Sequence, residues 1–275
     1  MNLNQVLHGC MFDIVPTLPE KSVHAVITSP PYAQQRQRQY GGVLEQDYPA
    51  WTVRWMETVQ RVLVDDGNVA IVISPHLRDG ELSAYVLHTR LALRQAGWIE
   101  CQELAWIKPT SPPLGHVGRP RRSWESILWF SRSREPFCNP LANGSLSDRL
   151  GLESVKGMGD YLHDREMRET YTGIARCRDY IEVATNQANK DDFNSHPAQF
   201  PERLAEWLIR LLCPRFGVVC DPFAGSGTTL VAAKRGRYAF FGCDINEMYV
   251  EIAQRRLDAV STVAEDYFRF APPSS

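Results

Sequence analysis

Two hydrophobic rhythms run along the chain, and the points where one gives way to the other divide it into strands and helices. Val23–Thr28 (VHAVIT) is a short apolar run rich in β-branched residues and ends in Ser-Pro-Pro, which predicts a strand. From Tyr48 to Leu63 apolar side chains recur at Trp51, Trp55, Val59 and Val62, the spacing of a helix, with Gly67 as its stop. Val69–Ile73 (VAIVI) is apolar at every position and predicts a strand covered on both faces. Ala84–Gln95 reads as a second helix stopped at Gly97, followed by strands around Glu103–Ile107 and Ser126–Phe130.

From about Glu135 to Ser195 neither rhythm persists. A long patternless stretch inside a compact domain is usually functional or disordered, and it reads here as an inserted module. Order returns with an amphipathic helix at Pro201–Leu212, a strand at Val218–Asp221, a helix at Thr228–Lys234, a strand at Ala239–Cys243 and a helix at Asn246–Val260. Strands and helices in alternation predict an α/β fold, a doubly wound, mostly parallel sheet with helices on both faces. The expected organisation is 1–134, an insert at 135–195, and 196–275.

Composition narrows the class without deciding it. A chain of 275 residues, 44% hydrophobic and 23% charged, suits one soluble domain with an insertion. No apolar run is long enough to cross a membrane, and MNLNQVLHGC lacks the pattern of a signal peptide. Seven cysteines without a Cys-x-x-Cys pair point to reduced thiols and a cytoplasmic protein. His76, His116 and His163 stand apart, without metal-ligand spacing, so no metal is expected. The net charge of −2 does not advertise a polyanionic partner, but Arg119–Arg134 carries five arginines against one glutamate. Arg119, Arg121, Arg122, Arg132 and Arg134 are therefore candidates for phosphate contact, with a solvated face as the plainer alternative.

Two loops carry the chemistry. Asp221-Pro222-Phe223-Ala224-Gly225-Ser226-Gly227-Thr228-Thr229 joins a strand to a helix, where glycines let the backbone turn sharply and approach a ligand. Asp244, at the end of the next strand, is placed to accept hydrogen bonds from ribose hydroxyls. The Gly-Lys-Ser/Thr of a phosphate loop is missing, and Leu230 stands where a dinucleotide fingerprint wants a small residue. Asp221 would repel phosphate and suits an ammonium, so the loop favours S-adenosylmethionine.

Thr28-Ser29-Pro30-Pro31-Tyr32 ends the first strand, at the edge where open α/β sheets bind ligands. An exocyclic base amine is a poor nucleophile because its lone pair is delocalised into the ring. Two acceptors aimed at its hydrogens favour a pyramidal nitrogen, and Ser29 Oγ with the Pro30 carbonyl could supply them. The consecutive prolines hold that carbonyl rigidly. Tyr32 would stack on a base turned out of the duplex. A second Ser-Pro-Pro, at Ser111–Pro113, is followed by Leu114, lacks the ring and reads as a loop.

With both loops present, the chain resembles the amino-methyltransferases of DNA, whose catalytic motif is Asp/Asn/Ser-Pro-Pro-aromatic and whose cofactor motif is Asp-Pro-Phe-x-Gly-x-Gly-Thr-Thr. The catalytic loop comes first, the order of the β class. The resemblance implies a Rossmann-like fold, S-adenosylmethionine as cofactor and double-stranded DNA as substrate. It also implies that His196, Phe200 and Pro201 seat the methionine end. Asp221, Pro222, Phe223, Gly225, Gly227, Thr228 and Asp244 would form the rest of the cofactor site. Trp106, Lys108, Pro109 and Glu125 stand where similar sequences have them. Serine in the catalytic motif and Phe200 are associated with cytosine N4 ahead of adenine N6. Where the family often has Gly-Asp this chain has Gly9-Cys10, which makes Cys10 a weaker partner for the adenine.

The insert falls where such enzymes carry target recognition. A cognate restriction endonuclease, and a monomer or homodimer, are further expectations. Cytosine C5 methylation is excluded, because the only adjacent cysteine and proline, Cys213-Pro214, run in the wrong order. An RNA or protein amide methyltransferase, and a silent nucleic-acid-binding subunit, are the remaining rivals.

Overall fold

The computed structural model describes residues 2–33, 42–78, 80–110, 118–146, 174–185 and 200–260. Among them one large sheet is built from β1 (Gln5–His8), β2 (Val23–Thr28), β3 (Leu63–Ile73), β4 (Ile99–Ile107), β5 (Trp124–Ser131), β6 (Tyr180–Glu182), β7 (Val218–Asp221) and β8 (Ala239–Asp244). Their order across the sheet is β1-β8-β7-β2-β3-β5-β4-β6. Only β5 runs against its neighbours, pairing antiparallel with both β3 and β4.

The two faces are covered by different helices. Alternate strand residues such as Ala25, Ile27, Ala70 and Val72 pack under α4 (Glu202–Leu212), α5 (Thr228–Arg235) and α6 (Glu247–Ala259). Val26, Val69, Ile71 and Ile73 point the other way, towards α1 (Met11–Ile14), α2 (Tyr48–Val62) and α3 (Tyr85–Gln95). This two-sided burial is why the strands are apolar at successive positions.

Several boundaries differ from those the sequence predicts. Helix α2 stops at Val62, and the chain enters β3 at Leu63, which pairs with Val23, so Gly67 lies within a strand. Strand β4 begins at Ile99, because Glu100 and Glu103 face Arg90 of α3, at 2.7 and 2.8 Å, and mask the apolar period. Strand β1 has no counterpart in the sequence pattern. The stretch from 135 to 195 supplies β6, which pairs with Ala105–Ile107 of β4, and its first residues bond back to the domain: the Phe137 N–H to Asp66 and the Asn139 N–H to Leu211.

The strand order reverses between the parallel β7 and β2: from β7 the chain proceeds to β8 on one side, from β2 to β3 on the other. The crevice beyond the carboxyl ends of those two strands is the position where open α/β sheets bind ligands.

Candidate active site

Both chemistry-bearing loops open into that crevice, and a buried contact ties them together. Thr28, the last residue of β2, donates its hydroxyl to Asp221 Oδ1 at 2.6 Å. The same carboxylate oxygen accepts the Phe223 N–H at 3.1 Å. Thr229, at the start of α5, donates its hydroxyl to the Ile27 carbonyl at 3.2 Å. Ser29 and the glycine loop are thus brought to one rim of the sheet. Asp221 is 2% exposed, and burial pushes its carboxyl up to about 6 despite the hydrogen bonds that favour the charge.

The glycine loop is shaped by contacts on all sides. Gly225 (φ +51°) and Gly227 (φ +80°) adopt left-handed backbone. At Gly227 a Cβ would come within 2.7 Å of the Ala253 Cβ on α6, so helix packing as well as conformation demands glycine there. Phe223 rests against Trp51 and Trp55 of α2, with ring centroids 5.4 and 5.5 Å away. From below, Arg256 of α6 donates to the Ser226 carbonyl at 2.7 Å and to the Ser226 and Thr228 hydroxyls at 3.0 and 3.2 Å. Its other terminal nitrogen reaches Glu202, 2.8 Å away at the start of α4. Pro201 caps that helix with extended backbone, and Phe200 is buried in the core beneath. His196 lies outside the described residues.

Asp244 closes the opposite wall. Its two oxygens accept the N–H groups of Gly225 (2.8 Å) and Asn246 (2.9 Å), which fix the carboxylate plane and leave a lone pair on each oxygen for a ligand. Burial raises its pKa, while these two N–H groups and His8 oppose the shift. Gly9-Cys10 follows β1 directly beside it: His8 pairs with Asp244, and the Gly9 N–H bonds the Asp244 carbonyl at 2.9 Å. Cys10 is half-buried there.

On the catalytic side, Pro30 is buried, and Ser29, Pro31 and Tyr32 are partly so. The Tyr32 hydroxyl donates to Glu125 Oε2 at 2.7 Å, and Lys108 holds the other oxygen of Glu125. Burial, reinforced by Glu125, pushes the Tyr32 phenol well above its ordinary value and keeps it protonated.

The arginine stretch is split by the strand it contains. Arg119, Arg121 and Arg122 precede β5 at the rim that holds the two loops, and Arg122 is close enough to Tyr85 to influence it electrostatically. Arg132 and Arg134 follow β5 and emerge at the opposite edge, roughly 25 Å away along an eight-residue strand. Arg132 lines a recess there with Lys21, Arg61 and Asp65 and bonds the Ala96 carbonyl at 3.0 Å. The five arginines therefore stand at the two ends of β5, three on the rim that holds the loops and two at the opposite edge.

Sequence reasoning missed Thr28, Arg256 and Glu202, and assigned no contact to Glu125 or Lys108. The only hint for Thr28 was a hydroxyl at the end of an otherwise apolar strand. For Arg256 there was none, since arginine on the last turn of a helix is ordinary.

Comparison with known proteins agrees with this geometry. Residues 23–255 match the DNA methylase family that groups N6 and N4 methyltransferases. The chain belongs to that family. The type II methyltransferase M.PvuII of Proteus hauseri is 22% identical over 270 residues, covering 88% of this chain and 80% of that one. The solved PvuII methyltransferase, described as cytosine-N4-specific, superposes with a TM-score of 0.71 over 91% of this chain and 85% of its own, at 21% identity. A putative DNA modification methylase of Thermus thermophilus, solved with S-adenosyl-L-methionine, gives 0.60 at 25% identity over 92% and 94%. As a family member, this methylase carries its Ser-Pro-Pro-Tyr loop and its glycine loop on the described rim. No helix among the described residues is long and apolar enough to cross a membrane.

Proposed function

We propose that this methylase transfers a methyl group from S-adenosylmethionine to the exocyclic N4 amine of cytosine in double-stranded DNA, as the modification partner of a restriction endonuclease. The observation that carries the reading is the Thr28–Asp221 contact, which sets a Ser-Pro-Pro-Tyr loop against a glycine loop of the kind a nucleoside cofactor uses.

The residues present fit that cofactor. Asp244 offers its free lone pairs to the ribose hydroxyls, and the side-chain-free backbone at Gly225 admits the nucleoside. Asp221, with Oδ1 committed to the protein, turns its remaining capacity to the methionine ammonium, together with Phe200 and Pro201. Cys10 borders the adenine end. The cofactor supplies an electrophilic methyl group. Ser29 Oγ and the Pro30 carbonyl accept the two hydrogens of the amine, and Tyr32 stacks on the base turned out of the duplex. Alignment carries much of the rate. Arg119, Arg121 and Arg122 lie on the phosphates flanking the site, and residues of the 135–195 stretch read the bases.

Serine rather than aspartate at position 29 supports cytosine over adenine. The deciding experiment is incubation with unmodified genomic DNA and labelled cofactor, digestion to nucleosides and mass spectrometry. N4-methylcytosine is the expected product. N6-methyladenine would replace the base assignment, and label in neither would overturn the reading.

A further inference from the structure

Three helices cover one face of the sheet, and a single carboxylate meets all of them. Glu202 is the first residue of α4. Its Oε1 accepts from Arg256 Nη2 of α6 at 2.8 Å, and its Oε2 lies 2.8 Å from Nη1 of Arg235, the last residue of α5. The Arg256 and Glu202 side chains are 15% and 23% exposed, against 44% for Arg235. The pair with Arg256 is therefore the better shielded from water, and the stronger of the two.

Arg256 has a second set of partners at its other terminal nitrogen. Nη1 donates to the Ser226 carbonyl and to the hydroxyls of Ser226 and Thr228, the residues on either side of Gly227. Both are buried. Gly227 has no side chain of its own with which to hold its left-handed backbone, so the shape of the loop depends on what grips its neighbours. On the far side of Glu202 the chain leads back through Pro201 to Phe200. Pro201 fixes φ at −66° and caps α4 directly, which ties the position of Phe200 to the first turn of the helix. A guanidinium is flat and rigid, and its two terminal nitrogens point at different partners here. One side chain thus sets the spacing between the glycine loop and the segment that enters α4.

We propose that Arg256 and Glu202 are positioning residues of the cofactor site: together they hold the glycine loop at a fixed distance from the Phe200–Pro201 segment, so that a cofactor gripped by both finds the two grips already spaced. This rests on the reading of Phe200 and Pro201 as the seat of the methionine end. Grips that are spaced before the ligand arrives need no ordering when it binds, and the benefit falls only to a ligand long enough to use both. Adenosine reaches the Asp244 wall and Gly225 alone. S-adenosylhomocysteine, which has the methionine-derived chain without the reactive methyl group, reaches both segments.

The test compares these two ligands by calorimetry on the wild type, Glu202→Gln, Arg256→Gln and the double variant, with thermal melting as the check on folding. Glu202→Gln keeps the bonds from Arg256 to the loop and weakens its hold on α4. Its affinity for S-adenosylhomocysteine should fall on the order of tenfold, the size of one charge-assisted hydrogen bond, while adenosine binding stays within about twofold. Arg256→Gln, which frees the loop as well, should weaken both ligands, S-adenosylhomocysteine the more. The double variant should bind S-adenosylhomocysteine no worse than Arg256→Gln, because both changes break the same bond. In methylation assays of Glu202→Gln the KM for S-adenosylmethionine should rise by more than the transfer rate at saturating cofactor falls. If Arg256→Gln fails to fold, Glu202→Gln decides alone. Equal losses for the two ligands in Glu202→Gln would show a prop for the whole domain and overturn the proposal, as would unchanged binding of S-adenosylhomocysteine. Phe200→Leu, run in parallel, separates the two levels. If it weakens S-adenosylhomocysteine selectively while Glu202→Gln does not, only the spacing role is lost; if it alters neither ligand, the methionine seat itself is misplaced.

Discussion

The hydroxyl of Thr28 and the carboxylate of Asp221 lie 2.6 Å apart in the core, although 193 residues separate them in the chain. The Ser-Pro-Pro-Tyr loop and the glycine loop are thereby joined by a side-chain hydrogen bond at their roots. Thr28→Val keeps the shape and removes the donor. Hydrogen bonds to a charged group contribute about 1.5–3 kcal/mol, so the variant should be destabilised by that order. It should also lose in both cofactor affinity and transfer rate, unlike a change confined to one loop. Calorimetry and single-turnover kinetics on the same preparation check this; loss in one quantity only would mean that the loops are positioned independently.

Asp221 itself sets a pH dependence. Its carboxyl is moved from 3.8 to about 6 by burial. Between those values the folded chain keeps a proton that the unfolded chain has released, so stability from this residue falls as the pH rises through 4 to 6. The displacement amounts to about 3 kcal/mol at neutral pH. Asp221→Asn, which cannot ionise, should therefore melt higher than the wild type at pH 7, with the difference closing towards pH 4. Its cofactor affinity should fall, because the charge facing the methionine ammonium is gone. Melting curves across pH test the first statement and calorimetry the second; a constant difference in melting temperature would place the titration elsewhere.

Gly227 is held by two independent constraints, its φ of +80° and the approach of Ala253. Gly227→Ala should destabilise the fold by about 2–4 kcal/mol, combining left-handed strain with overpacking. The damage should extend to cofactor binding, since Arg256 anchors the neighbouring Ser226 and Thr228 from the same helix. Chemical denaturation with and without cofactor measures both effects, and wild-type stability would refute the close packing.

The split arginine run invites two sets of substitutions, one at each end. Replacing Arg119, Arg121 and Arg122 with serine should weaken DNA binding and flatten its salt dependence, by roughly 0.9 in log–log slope for each phosphate no longer neutralised. Replacing Arg132 and Arg134 should leave the slope unchanged. Titrations at several salt concentrations decide; a change in slope with the second set would put DNA on the opposite edge.

Much of this site was legible because its two loops follow strongly apolar strands, VHAVIT and VVCD, whose ends are marked by proline and glycine. Strand direction was not legible. SILWF has the same apolar character whether it runs with its neighbours or against them, and only its antiparallel course brings Glu125 to Tyr32 and carries Arg132 away. Short strands were missed for a related reason. Gln5–His8 has one fully buried apolar residue, and its partner lies more than two hundred residues away, so no local window contains the pairing that makes it a strand. The three-residue strand at Tyr180–Glu182 is likewise defined by its neighbour, not by its own pattern.

That distant pairing has a kinetic meaning. Gln5 lies against Phe241, and β7 and β8 are inserted between β1 and β2. Neither end of the domain can close the sheet alone, since the first strand has no neighbour until the eighth has arrived. During synthesis it must wait with its backbone groups hydrated while the rest of the chain is made. Folding should accordingly be slow for a domain so rich in local helix, with the pocket wall at Asp244 among the last parts to form.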